Sequence, residues 1–148
     1  MLAAAPPCNL ATARATVGRA RLMIPASQSM SEEAYRADPK LVDAVLCLPL
    51  PGGRRAMVLS LASGGTAGDV NWAIYVSGTR GYELALVRGG YKLSLARRGT
   101  DVVETDPVYR SNDPNCCPTG GFDHTRWRWT GTGFAVAKRW HTASLKPQ

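Results

Sequence analysis

The sequence predicts a mainly β (α+β) domain: an antiparallel β meander of seven or eight strands with one short N-terminal helix packed on it. Three observations carry this. Past Lys40 the apolar residues recur with a period of two, the mark of strands, whereas only the first segment shows helical spacing. Clusters of glycine and proline punctuate the chain about every ten residues, at hairpin distance. The length, 148 residues, suits one domain with one core.

Residues 1–8, MLAAAPPC, read as a signal-peptide remnant or a disordered N-terminus. Ala3-Ala4-Ala5 has the A-x-A form of a signal-peptidase site, but the charged and apolar regions that precede such a site are missing. Pro7 before Cys8 does not suit a lipidated cysteine. Residues 9–148 read as a single β-rich domain. In NLATARATVGRARL, Leu10, Ala13, Val17 and Ala20 fall at helical spacing and Asn9 can cap the first turn. The stripe is thin and Gly18 interrupts it, so the helix should lie as a lid on something larger. A connection follows, in which SEEAYRAD is expected to form one more helical turn before Pro39.

Residues 41–50, LVDAVLCLPL, then give a strand closed by Pro49, Pro51, Gly52 and Gly53, and 55–63, RAMVLSLAS, a second ending at Gly64-Gly65. In DVNWAIYVS, residues 69–77, Val70, Trp72, Ile74 and Val76 share one face. GYELALVRGG places Tyr82, Leu84 and Leu86 on one face, and YKLSLARRG does the same with Tyr91, Leu93 and Leu95. Residues 100–109 supply another strand. HTRWRWTGTGFAVAKRW makes a hairpin around Gly131-Thr132-Gly133, with Trp127 and Trp129 on one side and Arg126 and Arg128 on the other. One face of the sheet should be core and the other wet.

Hydrophobic residues at 45% and charged residues at 20% exclude a disordered chain. No apolar run approaches the roughly 18 residues of a membrane span. The net charge of +7 invites an anionic partner. However, Arg54, Arg55, Arg97, Arg98 and the other arginines stand in ones and twos, which reads as a solvated basic surface without a strong nucleic-acid signal. A polyanion-binding module remains an alternative. A monomer is expected, and no cofactor.

The four cysteines are Cys8, Cys47, Cys116 and Cys117. In an exported chain an even set reads as two disulfides with three connectivities. A bond between adjacent cysteines closes an eight-membered ring, which favours the two arrangements in which Cys47 bonds one of Cys116 and Cys117 and Cys8 the other. Closing such a loop of about 70 residues is worth on the order of 4 kcal/mol. The metal alternative joins Cys116 and Cys117 to His124 or His141, against the C-x2-4-C spacing of structural zinc sites. A redox role would normally show C-x-x-C at a helix N-terminus, and none occurs.

A hydrolase lacks support, because there are two histidines and no G-x-S-x-G elbow. Asp123 and His124 are strand neighbours that point to opposite faces. Asp106 before Pro107 and Asp113 before Pro114 read as turn residues. The alternation in RWRWT suits a stacking platform, but a half-buried strand explains it more simply. Arg126, Arg128, Tyr109 and His124 are the candidates for a binding surface.

The run PVYRSNDPNCCPTGG followed by HTRWRWTGTGF resembles the C-terminal signature of the LppP/LprE-type lipoproteins of bacterial cell envelopes. There a Val-Tyr strand enters a D-P-x-C-C-P-[ST]-G turn, followed by an aromatic-basic strand ending in W-x-G. The matching residues are Val108, Tyr109, Asp113, Pro114, Cys116, Cys117, Pro118, Thr119, Gly120, Trp127, Trp129 and Gly131. The match covers about the last 30 residues well and the N-terminal helix hardly at all. The resemblance implies an exported, envelope-associated β domain of unestablished activity and supplies no catalytic residues. Without a lipobox in this chain, periplasmic or secreted placement is expected, with another envelope component or an anionic polymer as partner.

Overall fold

Asn9 is extended and its side chain accepts a hydrogen bond from the Thr12 amide at 2.8 Å, capping α1 (Leu10–Ala20). The helix buries Ala13, Thr16 and Val17 and ends at Arg21, which takes a left-handed conformation. These details belong to a computed structural model that describes residues 6–145. The expectation for Ala3-Ala4-Ala5 lies outside the described residues.

SEEAYRAD forms no helical turn. Glu32 has φ 63°, and Tyr35–Arg36 (β2) pairs antiparallel with Met23–Ile24 (β1). The Tyr35 hydroxyl donates to Asn71 Oδ1 at 2.8 Å. A single isolated turn of helix offers little against such pairing, because nucleation is unfavourable and returns almost no hydrogen bonds.

Beyond Leu41 come two antiparallel four-stranded meanders. β3 (Val42–Pro49), β4 (Arg55–Ala62), β5 (Asp69–Gly78) and β6 (Gly81–Gly89) form the first in chain order. β7 (Ser94–Arg98), β8 (Asp101–Pro107), β9 (Phe122–Trp129) and β10 (Phe134–Thr142) form the second. The expected strand rhythm is present, and one helix packs on the sheet. The meander divides between β6 and β7. There Gly90 N donates to Val70 O, Lys92 N to Ala67 O and Leu93 N to Asp69 O, so the connection folds back over the β4–β5 turn. It delivers β7 to the second layer, where Arg97 Nη1 donates to the Cys47 carbonyl at 3.0 Å.

The first sheet is the middle of three layers, so the expectation of one wet face fails for its central strands. On one face Met57, Leu59, Leu61, Ala73 and Tyr75 pack with Ala13, Val17, Leu22 and Ile24. On the other, Leu48, Val58, Trp72, Ile74 and Val76 meet Leu93 of the β6–β7 connection and Val102 and Trp127 of the second sheet. The buried side-chain amide on the helix-covered face is satisfied. Asn71, fully buried, donates to the carbonyls of Gln28 and Arg88 and accepts from Tyr35.

A bulge between Ile74 and Tyr75 opposes Ile74 to Leu86 and Tyr75 to Leu84. It corrects the expectation of a single Tyr82-Leu84-Leu86 face. Tyr82 packs on the helix side and Leu86 between the sheets, while Leu84 is exposed. One extra residue reverses every later side chain.

Candidate functional site

The cysteines pair differently from expectation: Cys8 bonds Cys47 and Cys116 bonds Cys117, with Cα separations of 6.0 and 3.8 Å. Layering explains why the favoured pairings fail. Cys8 packs with the core between helix and first sheet, and Cys47 lies opposite Met57 of that same core. The Cys116-Cys117 turn sits on the β8–β9 connection of the second sheet, so each turn thiol finds only its neighbour. Pro6 is fastened as well, its carbonyl accepting from Arg55 Nη2 at 2.6 Å and from Tyr82 Oη at 3.0 Å.

Asp113 organises the cysteine turn, as its place before Pro114 suggests. Its carboxylate accepts from the Arg110 and Thr119 amides and from the Thr119 hydroxyl, each at 2.8 Å. The two amide bonds, joined by the hydroxyl and the Arg110 charge, hold the carboxyl below its ordinary range. From the other side, Lys92 Nζ and the Tyr109 hydroxyl both donate to the Asn115 carbonyl at 2.7 Å. Tyr91 meets Tyr109 edge-on at 5.3 Å. Gly121 closes the turn at φ 80° with its Cα against the Thr142 carbonyl, where a side chain would overlap.

The four candidates for a binding surface are not one constellation. Tyr109 belongs to the cysteine turn. Arg126 and Arg128 lie on the outer face of the second sheet, as the alternation predicted, and Trp127 is buried edge-on against Trp72 at 5.9 Å. Both arginines bind one carboxylate, Asp101, at 2.6 and 3.0 Å, so part of their charge is spent within the fold. Burial pushes the Asp101 carboxyl up, and hydrogen bonds and charges from Arg128 and Arg126 more than reverse this, leaving it lowered. His124 is clamped between Thr105 Oγ1 at 2.9 Å and Thr142 Oγ1 at 2.7 Å and stacks on Trp140 at 5.0 Å. Burial lowers its pKa and favours the neutral ring. The runner-up grouping of Cys116, Cys117 and His124 is therefore not assembled. Among the described residues no three His, Cys, Asp or Glu side chains are placed to hold a metal ion.

A different cluster lies at the Asp106 end of β8–β10, where Asp106, Asp123 and His141 come level in register. A cleft of about 530 Å³ is lined by Asp106, Asp123, Thr125, Arg139, Trp140 and His141, together with His124, the one predicted site residue that reaches it. The turn reading of Asp106 is corrected here: it lies within β8 in register with Asp123, and its Oδ1 is buried without a hydrogen-bond donor. Burial first, and Glu104 second, raise its carboxyl to about 8. Behind it Glu104, 2% exposed, accepts from Trp72 Nε1 at 3.0 Å and pairs with Arg88 at 3.8 Å. Arg88 in turn lies over the Trp127 ring at 5.1 Å. At the mouth, His141 Nδ1 bonds Asp123 Oδ1 at 2.8 Å. Asp123 thus finds its histidine across the β9–β10 ladder, where His141 faces it directly, and not in adjacent His124. Sequence reading missed this cleft because Asp106 and His141 are 35 positions apart and its members are brought together only by the cross-strand register of β8, β9 and β10.

The cleft can offer a protonated carboxyl, an arginine and an Asp–His pair to a polar ligand. Neither histidine is hydrogen-bonded to a serine or cysteine among the described residues.

The raised carboxyls set a pH dependence. An acid whose folded pKa lies above its unfolded value of about 3.9 binds more protons in the native state, so stability falls as pH rises through that interval. Asp106 at about 8 and Asp69, raised to about 7 by burial and then by Asp43, both act this way. The melting temperature should therefore decline between about pH 5 and pH 8. Asp106→Asn should flatten that decline, and an unchanged slope in thermal melts of the variant would count against the buried protonated carboxyl.

Comparison with known proteins finds no match to this chain among family models, curated sequences or solved structures. The class the fold defines is a three-layer domain of one helix and two antiparallel meanders, with one disulfide between helix and first sheet and one within a turn of the second.

Proposed function

We propose that this is an exported protein of the bacterial cell envelope, of the LppP/LprE type, acting by binding or as a structural element and not by catalysis. The observation that carries the reading is that all four cysteines are engaged in disulfides, a state that persists in oxidising compartments and is rare in the cytosol. Among the described residues no helix is long and apolar enough to cross a membrane, which fits periplasmic or secreted placement. The motif that carries the family resemblance also has a structural rationale, since Asp113 and Thr119 of D-P-x-C-C-P-[ST]-G bond each other. Binding is favoured over catalysis because His124 is clamped and neutral. The cleft beside Asp106 and Arg139 is the place for a polar ligand.

The test is to express the full gene product with a C-terminal tag in a bacterial host, trap thiols with acid, alkylate and fractionate. The reading expects the protein in the envelope or medium with every cysteine protected from alkylation. Recovery in the cytoplasm with alkylated cysteines would overturn it.

A further inference from the structure

The two disulfides stand in opposite situations. Cys8–Cys47 spans a sequence separation of 39 and both residues are half-buried, whereas Cys116–Cys117 joins neighbours and both are exposed. A bond between adjacent residues removes almost no chain entropy from the unfolded state, so it cannot be a staple in the sense that Cys8–Cys47 is. Nor does the turn need it. Asp113 ties Arg110 to Thr119 across the turn, Cys117 N donates to Pro114 O, and Lys92 and Tyr109 hold Asn115. Pro114 and Pro118 fix the backbone on both sides. The bond is thus accessible, dispensable to the conformation around it, and framed so that its two sulfurs stay adjacent when it opens. The Lys92 ammonium, bound to the Asn115 carbonyl immediately before Cys116, puts a positive charge on this turn, and nearby positive charge favours a thiolate.

We propose that Cys116–Cys117 is, beyond the binding or structural role proposed above, a stoichiometric thiol–disulfide exchange site whose co-substrate is a dithiol. A thiolate of the dithiol attacks one of the two sulfurs, the Cys116–Cys117 bond breaks, and the other cysteine leaves as a thiolate that takes up a proton. The second thiol of the co-substrate then attacks the mixed disulfide, giving up its proton, releasing the remaining cysteine and leaving the co-substrate as its own disulfide. Two electrons and two protons pass from the dithiol to the cysteine pair. The reverse reaction restores the bond and makes the chain a donor of two electrons to a disulfide. The site does not rest on export, so its failure would leave the localisation reading standing.

The test uses the native full chain with dithiothreitol as the dithiol and glutathione as a monothiol of comparable access. After alkylation, peptide mass spectrometry should show Cys116 and Cys117 labelled at least about tenfold faster than Cys8 and Cys47. The melting temperature should stay unchanged after this selective reduction. Glutathione at equal thiol concentration should stall at a mixed disulfide, and the reduced protein should bind phenylarsine oxide one to one. A Cys116→Ser/Cys117→Ser variant should melt like the parent and bind no arsenical. Reduction of both disulfides at the same rate, or loss of the fold when only Cys116–Cys117 opens, would overturn the proposal. So would alkylation of Cys116 or Cys117 before any reductant is added.

Discussion

Trp72→Ala should lower stability by about 3–5 kcal/mol, the largest loss expected of any single side chain in this domain. Trp72 has no exposed surface. It lies on β5, one of the two inner strands of the central layer, and meets Trp127 of the second sheet edge-on at 74°. Truncation opens a cavity between the two sheets and also removes the donor to Glu104, which is 2% exposed. Two costs therefore add: lost packing and a buried carboxyl deprived of its indole partner. Trp72→Phe separates them. It keeps most of the volume and should still cost about 1–3 kcal/mol through the lost indole donor, which leaves Glu104 with Arg88 at 3.8 Å. Urea unfolding followed by circular dichroism measures both; a loss below about 1 kcal/mol for the alanine variant would remove Trp72 from the centre of the core.

Cys47→Ser should cost about 4 kcal/mol, the chain-entropy value for a closed loop of that length. The sequence separation is 39, shorter than the loop expected when Cys47 was paired with the distant turn. The loss should be larger in effect than the number suggests, because Cys8 enters α1 directly and the Pro6 carbonyl beside it holds Arg55 and Tyr82. The N-terminal segment and the helix should loosen together, and their amides should exchange faster. Substituting both Cys116 and Cys117 by serine should shift stability by no more than about 0.5 kcal/mol, as for an ordinary surface change. Equal losses from the two disulfides would contradict the contrast drawn between them.

Local chemistry was legible along most of the chain. The period of two located all eight long strands, Asn9 and the helical spacing located α1, and the RWRWT alternation correctly divided Trp127 from Arg126 and Arg128. These features depend on residues within a few positions of one another. What could not be read depended on layering. Both faces of β4 and β5 are covered because a helix takes one side and a second sheet the other, and polar Asn71 and Ser77 become core only through bonds to distant residues. The bulge opposite Ile74 leaves no composition signal, yet it sends Leu86 to the far side of the sheet from Tyr82. Asp106 resembled a turn residue because proline follows it, whereas its burial beside Glu104 and Arg88 is a consequence of β6, β8 and β9 meeting. The cysteine pairing failed for the same reason. Ring closure between neighbours is a local cost, but the competing partners lie in different layers, and no choice among them is open to the folded chain.

The central claim is that one disulfide closes the helix onto the first sheet and the other closes only on itself. Proteolysis of the native, thiol-blocked and unreduced protein, followed by mass spectrometry, tests it most directly. The account predicts a cross-linked pair of peptides carrying Cys8 and Cys47, and a single peptide carrying Cys116 and Cys117 two hydrogens lighter than its reduced form. A cross-link from Cys8 or Cys47 to either residue of the turn would contradict it.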